Sequence, residues 1–293
     1  MITKSISFEC ITPCFCAGAD QGSAEVRPSA LRGALRWWFR ALGGTPEQEI
    51  RTFGGGPNVL ASAIQVRVGE INGKPVGKLP VPNQPTSPLA YILYFASIAG
   101  GQNANFGKGP RWNPPAILGR GTTFTLNLRQ LRAIPQESLL NDSLVALSHY
   151  GSIGLRATRG MGAIQATDVT LESFARVDRL LTERGFTIRR SDKAHPSWEA
   201  VFTEAGKWLK GDLRKGEFGA GGNKKPPQAT ALGSIKPVRQ TSAVYLRPIQ
   251  LDGNLVFSAF EAPHHKVLGE LSRRKHSEPV LKSRDFTQPP PAL

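Results

Sequence analysis

The chain has 293 residues and carries 37 Lys and Arg against 22 Asp and Glu, a formal net charge of +15 at pH 7. This excess of positive charge favours a polyanionic partner: nucleic acid, a membrane surface or an acidic protein. The longest apolar run, residues 89–99, falls well short of the roughly 20 residues that cross a bilayer. The N-terminal segment lacks the apolar centre of a secretory signal, so we expect a cytoplasmic protein with no membrane partner.

The first half of the chain predicts an alternation of strands and helices. After an initial strand, a small-residue loop leads to an arginine-rich helix; two strands, a second helix, a glycine-arginine loop and a further strand follow. The predicted ranges are 2–11, 27–44, 63–71, 122–128, 135–150, 151–162 and 163–171. This order is that of a ferredoxin-like or RNA-recognition-motif-like unit, so the fold class is α+β.

The arginine-rich helix presents distinct faces at about 100° per residue, and two of them carry the prediction. One face is an apolar stripe of Leu31, Leu35, Trp38 and Leu42, which predicts burial. A second face carries Arg32, Arg36 and Arg40, each four residues from the next. Because no carboxylate occurs between Arg27 and Leu42, we expect these guanidinium groups to lack a local counter-ion and to bind phosphate, with Arg27 as an outer contact. The alternative is an ordinary solvated basic face.

Basic residues are also concentrated in the middle of the sequence. Between Glu70 and Glu137 there is no acidic residue, whereas seven Lys and Arg occur. Trp112 lies in this interval and is a candidate for stacking on an RNA base, although a large aromatic residue can equally belong to the core.

The glycine-arginine loop, GSIGLRATRGMG, is the second candidate phosphate site. Gly154, Gly160 and Gly162 allow close approach of the backbone to a ligand, and Arg156 and Arg159 lie among them. The loop has no G-K-[ST] sequence, so it is not a Walker loop, and it precedes a strand, unlike a dinucleotide-binding motif. The alternative is a flexible connection.

The second half of the chain is less regular. It predicts helices over 174–182 and 197–215, a short strand over 186–190, a Gly-, Lys- and Pro-rich segment over 215–236, a hairpin over 242–260 and a last helix over 267–274. We therefore expect two units, an N-terminal one over 1–172 and a smaller, irregular one over 173–293.

Candidates for catalysis or metal binding are few. The three cysteines, Cys10, Cys14 and Cys16, lack a fourth ligand nearby, so we expect free thiols and no metal or cofactor. His149 at a predicted helix end indicates a structural role, and the pair at 264–265 is ambiguous. Asp20, in the loop before the basic helix, is a candidate for a metal-assisted ribonuclease.

Three blocks of sequence together resemble a known family: ITPCFCAGADQ after the first strand, VRPSALRGALRWWFRALGG with the following TFGGG, and GLRATRGMG. They are similar to the RAMP superfamily of CRISPR-associated proteins, and within it to the first-numbered RAMP subunits of type III-B (Cmr) effector complexes. The blocks span residues 11–162.

The resemblance implies two RNA-recognition-motif-like units and a non-catalytic subunit of an antiviral ribonucleoprotein. Such a subunit would contact crRNA and target RNA near the 3′ part of the guide, beside other RAMP subunits. The alternative that it leaves open is a RAMP endoribonuclease that uses Asp20.

Overall fold

The computed structural model describes residues 3–19, 22–76, 79, 87–93, 117–209, 242–263 and 281. The helices are α1 (Pro28–Ala41), α2 (Pro46–Phe53), α3 (Pro88–Ile92), α4 (Glu137–Tyr150), α5 (Leu171–Glu183) and α6 (Trp198–Lys207). The strands are β1 (Thr3–Cys10), β2 (Cys14–Phe15), β3 (Ile64–Asn72), β4 (Ile117–Leu118), β5 (Thr123–Gln130), β6 (Gly151–Ser152), β7 (Ala163–Ala166), β8 (Thr187–His195), β9 (Val244–Leu246), β10 (Ile249–Leu251) and β11 (Asn254–Glu261).

The first sheet has the strand order β3-β5-β1-β7-β6, and every pairing in it is antiparallel. The alternate residues Ile6, Phe8 and Cys10 of β1 face the interior, and Phe8 stacks on Phe124 of β5. Helices α1 and α4 pack against each other and contact the strands of this sheet. The α+β class is therefore confirmed, and the strands and helices predicted in the first half are present, with α2, α3 and the short strands β2, β4 and β6 in addition.

A second, antiparallel sheet has the order β10-β11-β8, with β9 also paired to β11. The hairpin predicted over 242–260 is present, and its turn is formed by Asp252 and Gly253 between β10 and β11. Strand β8 is longer than predicted, because its polar second half pairs with the start of β11 rather than forming a loop.

One core connects the two sheets through the tryptophan pair of α1. The ring centroid of Trp37 lies 4.9 Å from that of Tyr245 in β9. The ring centroid of Trp38 lies 5.7 Å from that of Phe186, just before β8, and 5.3 Å from that of Phe260 in β11. Trp38 is buried, as its place on the leucine stripe predicts, whereas Trp37 covers the second sheet. The boundary at residues 172 and 173 stays a prediction.

Helix α2 was not predicted, although its N-terminus carries a recognisable signal in the sequence. Thr45 forms a capping box with Gln48, and Pro46 occupies the first turn. The helix is short and a glycine run follows it directly, so its pattern in the sequence is weak. Its presence matters because α2 contacts the arginine face of α1.

Candidate nucleic-acid interface

The arginine face of α1 packs on α2 instead of facing solvent alone. Glu49 of α2 is buried and accepts hydrogen bonds from Arg36 Nε and from Arg40 Nη1, the latter at 2.7 Å. Arg32 donates to the carbonyl oxygen of Phe53, the last residue of α2. The expectation that these guanidinium groups lack a local counter-ion is therefore wrong for Arg36 and Arg40: the carboxylate comes from the next helix.

The ion pairs leave part of this face open to solvent. The Arg36 and Arg40 side chains are 38% and 44% exposed, and Arg27 at the N-cap of α1 is also exposed. A phosphate group could reach Arg36 and Arg40 only in competition with Glu49, whereas Arg27 is accessible without that competition.

The glycine-arginine loop, Gly154–Gly162, is fixed by the segment that follows β1. Thr12 Oγ1 donates to the Gly160 carbonyl at 2.7 Å and accepts from Ala163 N at 3.0 Å. The amides of Leu155 and Gly162 donate to the carbonyls of Phe15 and Pro13, both at 2.9 Å. These bonds join the first and third sequence blocks and argue against a flexible connection.

Two glycines of the loop are required by its shape. Gly154 and Gly162 have φ angles of 81° and 63°, a region that side chains disfavour. A methyl group would lie 2.3 Å from the Phe15 carbonyl oxygen at Gly154, and 2.0 Å from the Ile153 carbonyl oxygen at Gly162. Because these glycines have no side chain, the loop backbone can lie in direct contact with the carbonyl groups of Phe15 and Ile153, while Gly154 itself stays exposed.

Arg156 and Arg159 lie together in this loop, and both are partly exposed. The Arg159 amide donates to the Arg156 carbonyl at 2.8 Å, and Arg156 Nη2 donates to the Ile92 carbonyl of α3 at 2.9 Å. Burial, and then the like charge of Arg159, lower the pKa of Arg156 to about 10. Arg156 therefore stays charged at neutral pH, and an anion bound beside the two side chains would offset the like charge of Arg159.

The C-terminal sheet also supports the loop, which the sequence did not indicate. The Leu246 amide donates to the Thr158 carbonyl at 3.1 Å, and Arg159 forms a parallel bridge with Leu246. Arg247 Nη1 donates to the Ala157 carbonyl at 3.0 Å. No local sequence pattern could have revealed this pairing, because Arg247 and Ala157 are 90 residues apart in the chain.

The two predicted phosphate sites have different neighbours. The glycine-arginine loop contacts the segment after β1, α3 and β9, whereas the arginine face of α1 contacts α2. Trp112 and Asp20 lie outside the described residues, as do the segment 215–236 and the histidines at 264–265.

The other candidates for chemistry among the described residues, the cysteines and His149, are buried. The three cysteines are free and buried, as predicted, and burial raises the pKa of Cys10 to about 12. His149 is buried, with Nδ1 at 2.8 Å from the Val145 carbonyl and Nε2 at 2.9 Å from Ser173 Oγ, and burial lowers its pKa. The described ranges contain no cluster of three potential metal ligands, and none of their helices is long and apolar enough to cross a membrane.

Comparison with known proteins identifies a family. The model of the RAMP superfamily matches residues 7–165. A Pyrococcus furiosus protein named CRISPR system Cmr subunit Cmr1-2 is 53% identical over 44 residues, which are 15% of this chain and 24% of that protein. Cmr subunit Cmr1-1 of the same organism is 28% identical over 169 residues, 50% of this chain and 42% of that one. The matches thus span less than half of either relative.

Solved structures share the fold at low sequence identity. The crystal structure of apo Cmr1 from Pyrococcus furiosus matches with a TM-score of 0.56 and 17% identity, over 90% of this chain and 88% of that one. A chain of the type III-B Cmr-beta complex bound to cognate target RNA matches with a TM-score of 0.52 and 11% identity, over 88% of this chain and 94% of that one.

Proposed function

Because the chain belongs to the RAMP superfamily, we propose that it is a non-catalytic RNA-binding subunit of a type III-B (Cmr) CRISPR effector complex. It acts in the cytoplasm in antiviral defence, contacts crRNA and target RNA near the 3′ part of the guide, and assembles with other Cmr subunits. Its relatives carry Cmr1 names, and one structural neighbour comes from a Cmr complex bound to target RNA.

The observation that carries this proposal is the construction of the loop Gly154–Gly162. Two like-charged guanidinium groups, Arg156 and Arg159, are held on a backbone that hydrogen bonds fix from both sides. An RNA phosphate supplies the negative charge that relieves their repulsion, and the exposed Gly154 leaves room for a backbone contact.

The arginine face of α1 has a secondary role in this proposal. Arg27 is an outer phosphate contact. Arg36 and Arg40 release the Glu49 carboxylate when they bind phosphate. Arg32 supports the C-terminal end of α2. Trp112, in the acid-free interval of the sequence, stacks on a base.

The proposed architecture is a tandem of ferredoxin-like units. The first sheet has the strand order β7-β1-β5-β3 with two helices, as one such unit requires. The second unit is a reduced version in which β8 and β11 pair beside α5 and α6.

Incubation of the purified chain with labelled single-stranded RNA, with and without Mg²⁺, tests both parts of the proposal. We expect the RNA to be retained on a filter and to stay intact under both conditions. Cleavage that depends on Mg²⁺ and on Asp20 would instead favour the endoribonuclease alternative. No retention at low salt would reject RNA binding.

A further inference from the structure

Arg247 is a buried cation directly behind the glycine-arginine loop. It is 3% exposed, and its guanidinium lies over the rings of Tyr245 and Phe260 at 5.8 and 5.5 Å. Its Nη1 donates to the Ala157 carbonyl of the loop at 3.0 Å, and its own amide donates to the Ser258 carbonyl at 2.7 Å. The C-terminal sheet therefore places a third guanidinium group against a loop that already carries two.

The charge of Arg247 is poorly compensated where the chain is described. The ion pairs among those residues do not include Arg247, and its Nε makes no hydrogen bond there. Burial lowers the pKa of Arg247 to about 10, which still leaves the group charged at neutral pH. An uncompensated buried charge reduces the stability of a fold, so a structural role alone does not explain it.

Another buried arginine shows the usual arrangement. Arg190 donates to Asp178 Oδ2 at 2.8 Å and to the Tyr150 hydroxyl at 2.7 Å, so a carboxylate compensates its charge. Among the described residues, both arginines lie over aromatic rings and leave Nε without a hydrogen bond, so the difference between them is the carboxylate: Arg247 has a backbone carbonyl instead. This contrast makes Arg190 the matched control.

We propose that Arg247 is a positioning residue for RNA: it anchors the loop through Ala157 and raises the positive potential of the loop without touching the RNA. The inference rests on the proposed function of the loop. A phosphate bound to Arg156 and Arg159 supplies the negative charge that Arg247 lacks.

The test compares four variants of the full chain by thermal unfolding and by binding to a labelled single-stranded RNA. Arg247→Met removes the charge and keeps an apolar side chain, and Arg247→Lys keeps the charge. Arg190→Met is the control for loss of a buried arginine, and Arg159→Ala is the control for the loop itself.

We expect Arg247→Met to lower the Tm clearly less than Arg190→Met does, because removal of the uncompensated charge offsets the lost bond to Ala157, whereas Arg190→Met leaves Asp178 without its partner. Arg247→Met should weaken RNA binding about three- to tenfold, the effect of one unit charge across roughly 10 Å of protein and water. Arg247→Lys should bind nearly as the natural chain does.

The dependence of binding on salt separates positioning from contact. Loss of Arg159 should lower the slope of log K against log salt by about 0.7, the value for one phosphate contact with a single strand, whereas loss of Arg247 should leave the slope unchanged. A Tm for Arg247→Met as low as that of Arg190→Met, or unchanged affinity, would overturn the role of Arg247. Unchanged affinity of Arg159→Ala would overturn the proposed function instead.

Discussion

At the scale of single residues, the partners of each arginine determine which of them the proposed RNA phosphate could reach. Glu49 already occupies Arg36 and Arg40, whereas Arg156 and Arg159 lie close enough for the charge of Arg159 to lower the pKa of Arg156. Spacing along α1 correctly grouped its three arginines, but it could not reveal a carboxylate on another helix. The loop arginines are therefore the stronger candidates.

Replacing Glu49 by Gln tests this competition. The variant keeps the shape of the side chain but removes its charge, so Arg36 and Arg40 become available to phosphate. We expect RNA affinity to rise several-fold, and the free energy of unfolding to fall by about 1–3 kcal/mol because buried charge-assisted hydrogen bonds are lost. Filter binding and denaturant unfolding measure the two quantities.

Glu47→Gln, which changes an exposed partner of Arg51, is the control. Lower stability with unchanged affinity would make the arginine face purely structural.

At the scale of elements, the glycine-arginine loop is a built structure rather than a linker. Its hydrogen bonds to Thr12, Pro13 and Phe15 bring the ITPCFCAGADQ and GLRATRGMG blocks together in the structure. The sequence predicted the loop and its glycines, because glycine spacing is a local signal. The supports at Leu246 and Arg247 could not be predicted, because they depend on pairing with a distant strand.

Gly154→Ala tests whether the shape of the loop matters for binding. The added methyl group would lie 2.3 Å from the Phe15 carbonyl oxygen, at a φ of 81°, so the loop must shift. We expect a loss of about 1–3 kcal/mol in the free energy of unfolding, the usual cost of such strain, and at least tenfold weaker RNA binding.

Gly33→Ala is the matched control for that substitution. Gly33 lies within α1, and a methyl group there would meet no atom within 4 Å. Alanine favours a helix over glycine by about 0.5–1 kcal/mol, so this variant should be slightly more stable and bind RNA normally. Equal RNA binding by both variants would show that the exact loop backbone does not matter.

At the scale of the whole molecule, two sheets share one core and meet at the loop. Trp37 and Trp38 of α1 join the first sheet to Tyr245 and Phe260, and the same region of the second sheet supports residues 157–159. The order of elements predicted the first sheet correctly, since each strand and helix there has a clear period. It could not predict how the second sheet packs, because aromatic contacts between distant segments determine it.

The salt dependence of RNA binding by the double variant Arg156→Ala, Arg159→Ala tests the central claim most directly. If both guanidinium groups bind phosphate, the slope of log K against log salt between roughly 50 and 200 mM should fall by about 1.4 relative to the natural chain, or roughly 0.7 for each contact with a single strand. Arg176→Ala, which removes a surface charge paired with Glu172, should leave the slope unchanged. A double variant with the same slope and affinity as the natural chain would contradict the claim that this loop binds RNA.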